Sequence, residues 1–407
     1  MSFAGPQSCI SHSFANEAAS QGISPAGCTL RCATLVFAYF ISTEALIGLA
    51  LATRDASKCS PAPKSFLVSL LKKAMTLSAV DHPSTSHVLD PRQFDRAYLD
   101  ELCKLTTRVR GLAKTKEGAR MLQTLLPHKR AMLYFTQPST RTFLSFSNAC
   151  HVLGIRTSEI RNPSTSSEVK GESFEDSIRT FSSYVDVIIM RTWAAGMAEA
   201  SAALMDRIRR RIPIINAGSG KDQHPTQALL DIYTLERSFE DRGGIDGKTI
   251  GFMGDLKRGR TVRSLAYLME NYRDVRLVFI APDAFQIDDD IIEHLQQNNI
   301  VYEKRNALRP VLPELDGIYV TRLQSEHDTE GESGAFDHSL FHFGPAELQI
   351  LKADGVIMHP LPRGPELDPA VDADPRAVYW RQERNGMWMR VALLLKTFGA
   401  EAEVDFG

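Results

Sequence analysis

Ser139-Thr140-Arg141-Thr142 sets three hydroxyls and a guanidinium between a short apolar run, "AMLYF", and a run in which Phe143, Phe146, Cys150 and Leu153 recur at helical spacing. The four residues therefore sit at a helix start that follows a strand. Serine or threonine at that place often does no more than cap free backbone N–H groups. An arginine in the same turn adds a planar fork that matches phosphate or carboxylate oxygens, beside a helix end that already offers donors and a positive dipole. Together they describe a pocket for a phosphate-like anion.

The same arrangement recurs along the chain. Arg191 follows "VIIM", His224 and Gln227 lie in "DQHPTQ" after "IINAG", and Arg260 lies in "GDLKRGRT" after "GFM". Arg322 and Gln324 belong to "TRLQ" after "IYV", and "HPLPR" follows "VIM". A single arginine at a strand end is commonly a surface ion pair, and a single histidine is commonly structural. Recurrence at the same end of successive strands is the signal. Four arginines aimed at one crevice repel each other unless their ligands bring several negative charges.

Such groups need a scaffold that delivers them to one place. "AMLYF", "VDVIIM", "IPIINAG", "TIGFMG", "RLVFIAP", "DGIYVT" and "GVIMH" read as strands, with helices such as "TVRSLAYLMENY" and "DIIEHLQQNN" between them. Continuous apolar strands with helical crossovers imply parallel sheets covered on both faces, and ligands then bind beyond the carboxyl ends of the strands. Seven such units suit two small sheets better than one. The expected fold is α/β, with two parallel-sheet domains and the active site in the cleft between them at the strand C-terminal ends.

Composition narrows the function further. The 407 residues, 43% hydrophobic and 24% charged, suffice for two cored domains. A net charge of −2 argues against a general nucleic-acid binder, and the basic run "RIRRR" runs straight into apolar "IPII", as a solvated loop or helix end would. Four of the six cysteines (Cys9, Cys28, Cys32, Cys59) fall in the first sixty residues, and no metal-type cysteine pairs occur. A reduced, cytoplasmic catalytic part without a metal is expected. Glycine-rich dinucleotide and triphosphate loops, the G-x-S-x-G elbow and H-E-x-x-H are all absent.

Residues 1–74 differ in character. They are rich in Ser and Ala, and residues 32–52, "CATLVFAYFISTEALIGLALA", are apolar apart from Glu44. A membrane span, a transit peptide and a translation start at Met75 are the three readings. The third is preferred, because the compact-domain pattern begins only near "DPRQFDRAYLDELCKL". Membrane attachment follows only if residues 32–52 are retained.

In this order, "STRT", "VKGES", "MRT", "NAGSGKDQHPTQALLD", "GDLKRGRTVRSLA", "TRLQ" and "HPLPR" resemble the aspartate/ornithine carbamoyltransferase family, over roughly residues 90–403. "GDLKxGRT", the lysine of "KGE" and "HPLPR" resemble its aspartate-specific catalytic chains. The resemblance implies transfer of a carbamoyl group from carbamoyl phosphate to L-aspartate, an early step of pyrimidine synthesis, with no cofactor. It implies that Ser139, Thr140, Arg141 and Thr142 grip the phosphate, and that Arg191 bridges phosphate and carbonyl oxygen. His224 with Thr142 would polarise that carbonyl, while Gln227 and the backbone carbonyls of Pro360 and Leu361 take the carbamoyl NH₂. Arg260, Arg322 and Gln324 would hold the aspartate carboxylates, joined by Lys170. Ser166 and Lys170 reach a neighbouring subunit's site in the family, so a homotrimer with shared sites, alone or inside a larger assembly, is implied.

The same resemblance divides the chain into residues 75–224 plus 385–407, binding carbamoyl phosphate, and residues 225–384, binding aspartate. Two other readings stay open: another acceptor such as ornithine, and a catalytically silent scaffold. Some positions depart from the family pattern. Gln137 and His327 stand where an acid and a base commonly bridge the two domains, and Val169 stands where a second lysine is frequent. A hydrogen-bonded substitute for the charged bridge is expected at Gln137.

Overall fold

The computed structural model describes residues 87–162, 171–220, 223–324 and 341–404. The first sheet is built from β1 (Arg130–Phe135), β2 (Arg156–Ile160), β3 (Val187–Arg191) and β4 (Ile214–Asn216). All its pairings are parallel, in the order β2-β1-β3-β4. The second contains β5 (Thr249–Met253), β6 (Arg276–Ile280), β7 (Val301–Arg305), β8 (Gly317–Val320) and β9 (Val356–Met358), again all parallel, in the order β7-β6-β5-β8-β9. The two sheets lie in one compact unit. The expectation of two parallel-sheet α/β domains is met.

Ten α-helices are described: α1 (Arg96–Leu112), α2 (Lys116–Gln123), α3 (Thr140–Val152), α4 (Phe174–Phe181), α5 (Met197–Arg207), α6 (Pro225–Phe239), α7 (Arg260–Leu268), α8 (Asp289–Gln297), α9 (Pro345–Leu348) and α10 (Tyr379–Phe398). Local chemistry sets several starts. Asp95 caps α1 by accepting from the Tyr98 N–H, Ser173 caps α4 by accepting from the Asp176 N–H, and Pro225 opens α6 with a preset φ.

Successive strand residues face opposite covered sides, which is why the runs are apolar without alternation. In β1, Leu133 and Phe135 join the main core, while Met132 and Tyr134 face a smaller cluster with Ile188 and Met190. The main core continues through Leu229, Ile232 and Leu394 into the second sheet, where Phe252 stacks on Phe279 with ring centroids 5.5 Å apart. Such a pair adds about 0.5–1.5 kcal/mol beyond its buried area.

Two strands escaped the sequence reading. "RTSEI" (β2) and "VYEKR" (β7) lie at sheet edges and are largely exposed or half-buried. An edge strand gains from charge, which blocks further pairing, so neither carries an apolar run. Helix α10 packs on α1, α3 and α6, and it begins at Tyr379; the return toward the first domain therefore starts there, ahead of residue 385.

In each sheet the strand order reverses once, between β1 and β3 and between β5 and β8. Loops leaving such neighbours diverge and open a crevice. The stretch 136–140 and the one after Arg191 flank the first crevice; the loops 254–259 and 321–324 flank the second.

Candidate active site

Register brings the first catalytic candidates level: Phe135, which ends β1, pairs with Arg191, which ends β3. Beyond Phe135, Ser139 is the N-cap residue of α3 and makes no side-chain cap bond. The bland capping role is not realised, so the first-turn N–H donors of α3 are left for another acceptor. Thr142 is buried in that turn.

Arg141 donates from Nη2 to the carbonyl of Leu361 at 2.5 Å, and its Nε lies 3.6 Å from Glu383 Oε1. Burial lowers its pKa; Glu383 opposes that and Arg322 adds to it. Arg191 is 8% exposed and, among the described residues, donates from Nη1 to the Ala217 carbonyl at 3.3 Å and has a buried Nε without a partner. Burial, then Arg260, Arg141 and Arg390, hold its pKa well below the ordinary arginine value. The four arginines picked from strand ends are thus electrostatically linked: Arg141 to Arg322, and Arg191 to Arg141 and Arg260.

His224 is the N-cap residue of α6. Its N–H donates to Ser264 Oγ at 2.9 Å, and that hydroxyl donates to Gln223 Oε1 at 2.7 Å. Its Nδ1 is buried without a partner. Burial first, and then Arg191, Arg260 and Arg390, push the imidazole pKa well below 6.5, so the ring is neutral at physiological pH. Gly218, at φ 101°, packs against both groups: a Cβ there would lie 2.8 Å from Arg191 Nη1 and 2.9 Å from His224 Cδ2.

Gln227 donates from Nε2 to Asp231 Oδ1 at 3.0 Å, which points its own oxygen the other way. Asp231 also accepts from Gln382 Nε2 (2.7 Å) and Tyr319 OH (2.8 Å). Burial raises its pKa to about 7 against these three hydrogen bonds. The Gln382 side-chain oxygen Oε1 in turn accepts from the His359 N–H at 3.0 Å. The Leu361 N–H donates to His359 Nδ1 at 2.7 Å, so His359 Nε2 carries the proton to Glu366 at 2.9 Å. This holds the Pro360-Leu361 segment, whose Leu361 carbonyl meets Arg141.

In the second half, Arg260 starts α7 and donates to the Gly220 carbonyl (2.5 Å) and to Gln137 Oε1 (3.2 Å). Gln137 therefore joins the halves by a hydrogen bond to Arg260. Fully buried Asp255 accepts from the N–H groups of Arg258 and Gln324, each at 3.1 Å, tying the two crevice loops of the second sheet together. Ser166, Lys170, Val169, His327 and residues 32–52 lie outside the described residues. Among the described residues, no group of three or more His, Cys, Asp or Glu is placed to hold a metal, and no helix is long and apolar enough to cross a membrane.

Sequence reasoning missed Asp231, His359, Asp255, Gly218 and Glu383. His359, Asp255, Gly218 and Asp231 lie inside the quoted motifs, and Asp231 has an i,i+4 spacing from Gln227 on one helix; Glu383 carried no such signal.

The electrostatics of His224 give a testable sign. With a folded pKa below its unfolded 6.5, its stability contribution is complete above pH 6.5 and is lost as pH falls through the lowered value. In a ¹⁵N NMR titration the His224 ring is expected to stay neutral at pH 6. Protonation at or above pH 6.5 would overturn its neutral assignment.

The family description "Aspartate/ornithine carbamoyltransferase, carbamoyl-P binding domain" matches residues 86–237, and "Aspartate/ornithine carbamoyltransferase, Asp/Orn binding domain" matches residues 246–397. The first match ends within the last turn of α6, and the second begins just ahead of β5. Aspartate carbamoyltransferase 1, chloroplastic, of Pisum sativum is 40% identical over 312 residues, 75% of this chain and 77% of the relative. Multifunctional protein CAD of Squalus acanthias is 39% identical over 350 residues, 83% of this chain and 15% of the relative. The crystal structure of aspartate transcarbamoylase from Trypanosoma cruzi in complex with carbamoyl phosphate and aspartate superimposes with a TM-score of 0.69 at 35% identity, covering 76% of this chain and 96% of that one.

Proposed function

This chain belongs to the aspartate/ornithine carbamoyltransferase family and transfers the carbamoyl group of carbamoyl phosphate to L-aspartate in pyrimidine biosynthesis, and we propose the following division of labour in its cleft. The aspartate amine attacks the carbonyl carbon; a C–N bond forms, the C–O bond to phosphate breaks, one amine proton leaves with the phosphate, and N-carbamoyl-L-aspartate and hydrogen phosphate result. Negative charge grows on the carbonyl oxygen and on the departing phosphate, so donors already fixed at both places accelerate the step. Ser139, Thr140, Arg141 and Thr142 hold the phosphate. Arg191 spans phosphate and carbonyl oxygen, and neutral His224 donates to that oxygen with Thr142.

Gln227, its oxygen aimed by Asp231, and the carbonyls of Pro360 and Leu361 orient the carbamoyl NH₂. Arg260, Arg322 and Gln324 hold the two carboxylates of aspartate, with Lys170 and Ser166 supplied by a neighbouring chain of a homotrimer. The family motif "VKGES" supports that sharing, and the multifunctional relative supports a larger assembly. A cytoplasmic location rests on the free thiols of Cys103 and Cys150. Since the pea relative is named as chloroplastic, N-terminal sequencing of the protein from cells is the test.

One observation carries the reading: Arg191 is buried with an unpartnered Nε, in a field of like charge that only an anion neutralises. The chain from Met75 onward is expected to turn over carbamoyl phosphate with L-aspartate and not with L-ornithine, and to have the mass of three chains by light scattering. Turnover with ornithine would overturn the acceptor assignment, and a monomer of full activity would overturn the shared site.

A further inference from the structure

Helix α10 brings a carboxylate into a pocket read as built for anions. Glu383 Oε1 lies 3.6 Å from Arg141 Nε, with side chains 30% and 42% exposed. The charged groups around it are Arg141 on α3, Arg390 two turns further along α10, and Asp231 on α6. Arg390 donates to Ser145 Oγ at 2.6 Å with its guanidinium 4.9 Å from the Phe146 ring centroid, and Glu383 is the first of the carboxylates that act on its buried charge. Among the described residues Arg141 is the ion partner of Glu383. At 3.6 Å the contact is looser than the 2.7–2.9 Å of a charge-assisted hydrogen bond, so it is an exchangeable one.

We propose that Glu383 is a built-in competitor for Arg141, occupying guanidinium surface that a phosphate oxygen takes, so that it weakens binding of carbamoyl phosphate and hastens departure of phosphate. The inference rests on Arg141 as a phosphate-gripping residue. A carboxylate beside that arginine opposes an incoming phosphate twice: it neutralises the cation in the empty site, and it repels the bound anion. Burial keeps Glu383 above the usual carboxylate range, with Arg141 and Arg390 opposing. The competition is therefore strongest at higher pH and fades as acid protonates the side chain.

The test is calorimetric titration of the full chain with inorganic phosphate from pH 5.5 to 8. Native protein, Glu383→Gln, Glu383→Ala and Arg141→Ala are compared after matching thermal melts. Both Glu383 variants are expected to bind phosphate about two- to fivefold more tightly at pH 8, and the advantage should shrink as pH falls. Phosphate's own titration is common to all the proteins and cancels in the ratio. In steady state, Glu383→Gln should lower KM for carbamoyl phosphate without raising kcat. If the Glu383 variants bind phosphate no more tightly at pH 8 while Arg141→Ala binds it much more weakly, Glu383 merely aligns the arginine and the proposal fails. If Arg141→Ala binds phosphate as native protein does, the phosphate role of Arg141 falls, and the proposal with it.

Discussion

Arg191→Leu is expected to lower kcat by about 10²–10³-fold, the usual cost of losing one preorganised donor to a developing oxyanion, while leaving the melting temperature unchanged or higher. The two halves of that expectation have one cause. The guanidinium is 8% exposed, has among the described residues a single long bond to the Ala217 carbonyl, and stands among Arg141, Arg260 and Arg390. A cation held there without a carboxylate costs folding free energy, which the uncharged, shorter leucine does not incur. Saturating both substrates and recording a thermal melt on the same sample separates the effects. Activity within tenfold of native would mean that the charge is not used in the reaction. A large fall in melting temperature would mean that it holds the fold.

Gly218→Ala should lose activity and stability together. At φ 101° an L side chain is strained by about 1–3 kcal/mol, and the new methyl group would sit 2.8 Å from Arg191 Nη1 and 2.9 Å from His224 Cδ2. Both groups must retreat. A displacement near 1 Å at reacting groups costs on the order of 10²-fold, so kcat/KM is expected to fall by about that factor. Because the two substitutions share the guanidinium while the methyl group also displaces His224, the double variant Arg191→Leu/Gly218→Ala should lose less rate than the product of the two single losses. Multiplying losses would show that Gly218 acts by another route.

Strand ends were legible because a parallel sheet sends every carboxyl end the same way: once "AMLYF" and "VIIM" read as strands, Arg141 and Arg191 had to share one end of the first sheet, and "IYV" put Arg322 at the matching end of the second. Edge strands were not, since "RTSEI" and "VYEKR" face water and need no apolar run. The supports of the site were hidden for another reason. Asp231 depends on Tyr319 and Gln382, far away in sequence, and nothing local in "YWRQERNG" marks Glu383 as a neighbour of Arg141. Roles for individual residues came from the family resemblance. The apolar pattern supplied the architecture that makes those roles geometrically coherent.

The two crevices lie on different sheets, and this divides what selection can change. The proposed phosphate grip belongs to the head of α3 and the end of β3, whereas of the proposed acceptor residues Arg260 opens α7 after β5 and Arg322 and Gln324 lie on the loop leaving β8. A lineage can therefore exchange one amino-acid acceptor for another by rewriting two loops of the second sheet, with the carbamoyl donor kept intact throughout. The freedom is limited at Asp231, which Tyr319 of β8 and Gln227 of α6 share. Descendants that diverge in acceptor are expected to vary freely around Arg322 while inheriting the Gln227-Asp231-Tyr319 connection unchanged.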